Sequence, residues 1–278
     1  MLKIENVETF GWEAAIRGMR NPMNSWEKSD SEPCYSKCEC AICPDPIGCD
    51  LNVAYCIGSN DLDLMTRLRN AGTDHRKFMR MITVYVDITA PLYWWKEFDT
   101  YKVGTVANSC STMHKIAAKP FAKEDFSYEH LCKVSDTLMT DFNEFIGIEN
   151  KEHNSPYRAL NDIIEELNQW RDFYIYYKNK PTEDIENHNE NLKTIWWQMI
   201  QLLPSSYNQR RTVMLNYEVL TNIYKSRKNH KLDEWCVHDK PKEYDFSNKD
   251  FSSGMWGFCD WIENLPYSVL ITGGKSNA

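Results

Sequence analysis

Residues Ala71–Lys115 read "AGTDHRKFMRMITVYVDITAPLYWWKEFDTYKVGTVANSCSTMHK", and this stretch decides the fold. At its centre Ile82, Val84, Val86 and Ile88 alternate with Thr83, Tyr85 and Asp87. Period two with β-branched residues predicts a strand with one buried face. Ala90-Pro91 closes that strand, and Pro91 suits the first turn of a helix carrying Tyr93, Trp94, Trp95 and Phe98. The polar run "TYKVGTVANSCSTMHK" then has no apolar face. Its hydroxyls, amide, lysines and histidine suit either a surface loop or a pocket for a small hydrogen-bonding ligand.

Upstream, "LKIENV" and "GWEAAIRGMRNP" predict a strand and a helix that Pro22 ends. "SNDLDLMTRLRNAG" predicts a second helix, capped by Ser59 or Asn60 and ended by Gly72. Downstream, residues 126–200 read as helical, broken at "NSP" and at the polar link "KNKPTEDIENHNEN". "TIWWQMIQLLP" is expected to be buried. A long last helix is expected through "RRTVMLNYEVLTNIYKSRK". The class is α+β. The expected organisation is a single domain over 1–278, with a cysteine-rich loop at 34–56 and a peripheral C-terminal extension at about 236–278.

The 278 residues are 42% apolar and 26% charged, within the globular range. No apolar run approaches the ~20 residues that span a bilayer. The N-terminus lacks the layout of a signal peptide, so a cytoplasmic location and no membrane partner are expected. A net charge of −8 disfavours nucleic acid, which needs clustered cations, but not a mononucleotide. Of ten cysteines, six fall between Cys34 and Cys56. Free thiols or a redox-sensitive loop are the first reading. Thiolates of Cys34, Cys38, Cys40 and Cys43 on zinc or an iron–sulfur cluster are the second. The spacing C-x3-C-x-C-x2-C matches no standard finger. Cys236 and His238 supply too few ligands for a metal. The tail "TGGKSNA" lacks the first glycine of a P-loop.

In its order of helix, glycine, histidine, alternating strand, Ala-Pro, aromatic helix and polar loop, Ala71–Lys115 resembles the central part of the flavin-dependent thymidylate synthases. That family has G-H-x-S-x-F-E-H, a strand ending in A-P, then R-H-R-x-x-S-x-N-E-x-S-x-R-Y. His75 matches the first histidine, and Ala90 and Pro91 match identically. Lys96 and Glu97 take the place of Arg-Gln, while Thr100, Tyr101 and Lys102 take that of Arg-His-Arg. Thr105 replaces the serine. With one extra residue near Ala107, Asn108, Ser111 and His114 fit the Asn, Ser and Tyr, placing Ser109 at the glutamate and Met113 at the last arginine. In "LLPSSYNQRRTVMLNYEVLTNIYKSRKNH", Pro204, Tyr207, Asn216, Asn222, Arg227 and His230 fit the family's C-terminal pattern. Glu218 and Ile200 stand where it has arginines. The resemblance covers roughly residues 60–115 and 200–235.

The resemblance implies a central antiparallel sheet with a helical bundle, and reductive C5 methylation of dUMP to dTMP. Methylenetetrahydrofolate would give the carbon, NADPH would be the reductant, and bound FAD would carry the hydride in a homotetramer. It implies His75, Tyr101, Lys102, Asn216 and Asn222 on the flavin. Glu97, Thr100, Thr105, Asn108, Ser109, Ser111 and Arg227 are implied on the substrate, with Arg227 also activating it. From helical spacing alone, Asn216 and Arg227 are expected on one face of the last helix. Taken singly, Asn216 and Asn222 are better explained as solvent-facing amides, Arg227 as a helix-end cation and His75 as a satisfied polar contact. A flavoprotein of this fold with another substrate, and a non-catalytic scaffold with a cysteine-bound metal, are the alternative readings.

Overall fold

In a computed structural model, the described residues are 2–33, 55–131, 136–147, 155–181, 187–237 and 257–274. Cys34, Cys38, Cys40, Cys43 and His238 lie outside them. The chain is α+β and divides into two compact units. One is sheet-centred, Leu2–Thr89, Lys96–Ser109 and Arg210–Ala278; the other is helical, mainly Ala90–Trp95 and Cys110–Gln209.

The sheet-centred unit opens with β1 (Lys3–Phe10) and α1 (Trp12–Arg20). A two-residue ribbon follows, β2 (Glu32–Pro33) with β3 (Tyr55–Cys56), and then α2 (Ser59–Asn70). Next come β4 (Thr83–Pro91), α3 (Leu92–Phe98) and β5 (Val106–Ser109). The sheet is completed by β6 (Asn208–Asn216), in the order β1-β4-β6-β5, with β1 antiparallel to β4 and β5 antiparallel to β6. The expected alternation holds: Ile82, Val84, Val86 and Ile88 are at most 1% exposed. At roughly 1.5–3 kcal/mol for each buried aliphatic side chain, that row is a large share of what holds the unit together. The strand closes at Ala90-Pro91 as expected, and the helix starts at Leu92, one residue after the proline expected in its first turn.

The expected long C-terminal helix is half strand. β6 takes Asn208–Asn216, and only Tyr217–Arg227 is helical (α8). The cause is legible: Val213 and Leu215 are fully buried and alternate with Thr212 and Met214, so period two wins over period 3.6 until Asn216. The cap of α2 also differs. Neither Ser59 nor Asn60 caps it; the Asp30 carboxylate accepts from the amides of Asn60 (2.8 Å) and Asp61 (3.0 Å). Residues 257–274 carry α9 (Phe258–Glu263) and α10 (Val269–Thr272). Phe258, Trp261, Ile262, Leu270 and Ile271 are core residues rather than peripheral ones.

The helical unit holds α4 (Thr112–Lys115), α5 (Asp136–Phe145), α6 (Pro156–Lys178) and α7 (His188–Leu202). Its core joins Ile116, Phe121 and Phe126 to Leu160 and Leu167 of α6 and Met199 of α7. "TIWWQMIQLLP" is only partly buried: Ile195 and Met199 face inward while Trp197 is exposed, as expected of a one-faced helix.

On the half-buried face of the sheet, Asp87 accepts from the hydroxyl of Thr212 (2.5 Å), the guanidinium of Arg210 (2.7 Å) and the amide of Asn6 (2.8 Å). The Thr212 bond, followed by those of Arg210 and Asn6, outweighs desolvation and holds the carboxyl down to about 2. A depressed carboxyl stabilises the fold above its unfolded value near 3.8, and the contribution is lost as pH falls towards 2. Asp87→Asn is therefore expected to cost about 1–2 kcal/mol at pH 7, after discounting for solvent screening. The gap from wild type should close near pH 2. Urea titrations at both pH values check this, and a pH-independent gap would refute the ionic origin.

Candidate functional site

Within the sheet-centred unit, the turn between α3 and β5 is held by its own side chains. The Thr100 hydroxyl donates to the Glu97 carbonyl (2.7 Å), and the Thr105 hydroxyl donates to the Tyr101 carbonyl. Each hydroxyl has one proton, so in this arrangement both can only accept from anything else. Gly104 has φ +80°, and a Cβ there would stand 2.4 Å from the Asn216 amide nitrogen. Glycine is required by both conformation and space.

That turn presents Glu97 and Tyr101 to Arg227, the last residue of α8. The Arg227 guanidinium pairs with the Glu97 carboxylate, and its Nε donates to the Tyr101 hydroxyl at 2.9 Å. It lies 5.1 Å from the ring centre of the fully buried Trp235 and 5.7 Å from that of Tyr101. Planar guanidinium over aromatic faces is a favourable cation–π arrangement. His230 Nδ1 accepts from the Leu232 amide (3.2 Å), which leaves Nε2 to the cluster. That nitrogen faces Glu97 at 3.4 Å and Arg227 Nη1 at 2.8 Å. The cluster is a half-buried cation bound by one carboxylate and walled by aromatic rings.

A second cluster lies on the same unit. Arg76, beside the exposed His75, brings its Nε to 3.1 Å from Glu218 Oε1 and 2.9 Å from Oε2. Its Nη2 donates to Asn222 Oδ1 at 3.4 Å. Oε2 lies off the N–H direction and is buried with no hydrogen-bond partner among the described residues. The exposed Asn222 keeps its amide N–H groups as donors. Asn216 is not on a shared helix face with Arg227. It ends β6 and is the N-cap of α8, its side-chain oxygen accepting from the Val219 amide at 2.9 Å. The helical spacing failed there because Asn216 precedes the helix.

The remaining predicted residues are more scattered. Lys102 is exposed, and Asn108 and Ser109 lie on β5, exposed and paired with Thr212 and Arg211. Ser111 belongs to the helical unit, where it caps α4 by accepting from the His114 amide at 3.2 Å. The structure thus brings Glu97, Tyr101 and Arg227 together, joins Asn222 to the second cluster, and gives Thr100, Thr105, Asn216 and Ser111 local backbone duties. Sequence reasoning missed Arg76 and Trp235. Arg76 directly follows His75, and Glu218, where an arginine was expected, was the signal that a cation had to come from elsewhere. No group of three or more metal-ligating side chains occurs among the described residues, and no described helix is long and apolar enough to cross a membrane.

No protein-family model matches the chain, and neither does any curated protein. Solved structures similar to it include Helicobacter pylori thymidylate synthase X (ThyX) with FAD and dUMP, at 14% identity and TM-score 0.48, covering 98% of this chain and 97% of that one. A second structure, the flavin-dependent ThyX from Helicobacter pylori complexed with FAD and dUMP, is similar at 14% identity and TM-score 0.45, covering 82% and 86%. The UMP/dUMP methylase PolB from Streptomyces cacaoi, bound with 5-Br dUMP, is similar at 11% identity and TM-score 0.44, covering 86% and 84%.

Proposed function

We propose that the chain is a flavoenzyme that modifies a pyrimidine nucleotide, with reductive C5 methylation of dUMP to dTMP as its reaction. The observation that carries this reading is the gathering of Glu97 and Arg227, from two helix ends, and Tyr101, from the turn, into one half-buried ion-paired cluster. These are residues on which the sequence pattern places nucleotide and flavin contacts. A guanidinium among aromatic rings can stabilise negative charge that develops on a pyrimidine ring.

The second cluster has the chemistry to hold a flavin. Asn222 offers amide donors beside the Arg76–Glu218 ion pair, and the exposed His75 directly precedes Arg76. When bound, FAD would supply the hydride, with NADPH as its reductant and methylenetetrahydrofolate as the carbon donor. The chain's own residues would bind and orient the partners. Arg227 would hold the pyrimidine, Tyr101 would fix the guanidinium, and Asn108, Ser109, Thr100 and Thr105 would border the nucleotide. Ser111 belongs to the same proposed set, and a homotetramer is proposed as the assembly. For the cysteine loop, a zinc or iron–sulfur centre on Cys34, Cys38, Cys40 and Cys43 stays a proposal.

One feature favours a second reading, a flavoprotein with another substrate. Arg227 is already paired with Glu97, where the family pattern has a neutral glutamine. Purified protein is expected to be yellow, or to bind added FAD, and its reduced flavin to reoxidise with dUMP and methylenetetrahydrofolate. Reoxidation that ignores dUMP would select the second reading. Protein that binds no FAD would overturn both.

A further inference from the structure

The helical unit contains a cleft of about 740 Å³, separate from both clusters above, between the loop at α4, the end of α6 and the start of α7. Its size lies within the roughly 300–1,000 Å³ usual for small-molecule sites. Lys115, Lys178 and Lys193 line it, and among the described residues no Asp or Glu does. In a chain with 40 acidic and 32 basic residues, that bias is local and directional. Among the described residues none of the three ammonium groups has a carboxylate partner.

The walls are planar and fixed. Tyr174 and Trp196 line the cleft while packing on the unit's apolar core, and the Trp196 indole N–H donates to the Met113 carbonyl at 3.0 Å. That bond ties α7 to the loop and sets the ring before any ligand arrives. Asn179 and Asn189 add amide donors and acceptors at the rim. Point charges for a phosphate, ring faces for stacking and amides for a base edge are three complementary demands of one ligand class.

We propose that this cleft binds a mononucleotide, with its phosphate on Lys115, Lys178 and Lys193 and its base against Trp196. The assignment rests on the cleft itself and is independent of the flavin reading.

Calorimetric titration of the full chain with AMP, UMP, inorganic phosphate and adenosine tests it. AMP is expected to bind once per chain at this cleft, and UMP to bind there as well as at the Arg227 cluster. Phosphate and adenosine should each bind at least tenfold weaker than AMP, and affinity should fall as salt rises. K115Q/K193Q should weaken AMP binding at least tenfold, and K115R/K193R should restore most of it. Both lysine positions substituted there are exposed, so folding is expected to be preserved, and circular dichroism verifies it. W196F should lower affinity less than the lysine changes. Absence of saturable AMP binding at millimolar concentration would overturn the proposal, as would AMP binding untouched by K115Q/K193Q. Loss of AMP binding in R227Q with K115Q/K193Q unaffected would also overturn it, placing the nucleotide in the sheet-centred unit instead.

Discussion

Asp61→Ala is expected to destabilise the protein by about 3–5 kcal/mol, the cost of stranding a buried charge. Asp61 is fully buried and Arg20 is 4% exposed; the Arg20 Nε donates to Asp61 Oδ1 at 2.7 Å. Asp61 Oδ2 accepts from the hydroxyls of Ser29 (2.7 Å) and Ser31 (2.6 Å) and the Asp30 amide (3.2 Å). Arg20 also donates to the carbonyls of Ser25 (3.2 Å) and Lys28 (3.1 Å). Burial by itself would raise the Asp61 carboxyl, yet Ser31, Ser29 and Arg20 together bring it below its ordinary value. Its stabilisation is therefore present above that ordinary value and lost as pH falls through the lowered one. The network pins α1, α2 and the segment 25–31 to one another. Chemical denaturation at pH 7 gives the cost. The double variant Arg20→Met/Asp61→Leu is expected to recover much of it, since removing both charges leaves neither unpaired. A loss below about 1 kcal/mol for Asp61→Ala would show that Arg20 is satisfied by the carbonyls alone.

None of that network was legible in the sequence, because its partners are 41 positions apart and neither Arg nor Asp is expected in a core. β4 was legible because its burial writes period two directly into Ile82, Val84, Val86 and Ile88. β6 carried the same signal in Val213 and Leu215, but it is short and runs straight into α8, so helical residues beyond Asn216 dominated the window. At the candidate site Tyr101, Glu97 and Arg227 were named one by one from a resemblance in order and spacing, which did not give their pairing with one another. Nor did it give the partnership of Arg76 with Glu218, since an ion pair 142 positions apart leaves no local pattern. The hydroxyls of Thr100 and Thr105 carry a local duty that the sequence did not show. Residues read as substrate contacts are donors to turn carbonyls, a local use that composition cannot separate from ligand binding.

Arg227→Ala is expected to lower dUMP-dependent flavin reoxidation by about 10²–10³-fold, the usual cost of one charge-stabilising donor at a reacting centre. The guanidinium is 17% exposed and bound on several sides, so it is positioned before any ligand arrives. Truncation also leaves Glu97 without its partner, so the alanine variant alone mixes two effects. Glu97→Gln separates them. It removes the carboxylate that competes for Arg227 while keeping a hydrogen-bonding side chain of the same shape, and it should tighten dUMP binding. Arg227→Lys keeps charge but loses the fork and the stacking on Trp235, so its rate should fall between those of wild type and Arg227→Ala. Stopped-flow reoxidation with FAD-loaded protein reads the rate, and titration of dUMP reads the affinity. A folded Arg227→Ala protein with the wild-type rate would remove Arg227 from the chemistry. Weaker dUMP binding in Glu97→Gln would make Glu97 part of the nucleotide's binding surface, and not a competitor for the arginine.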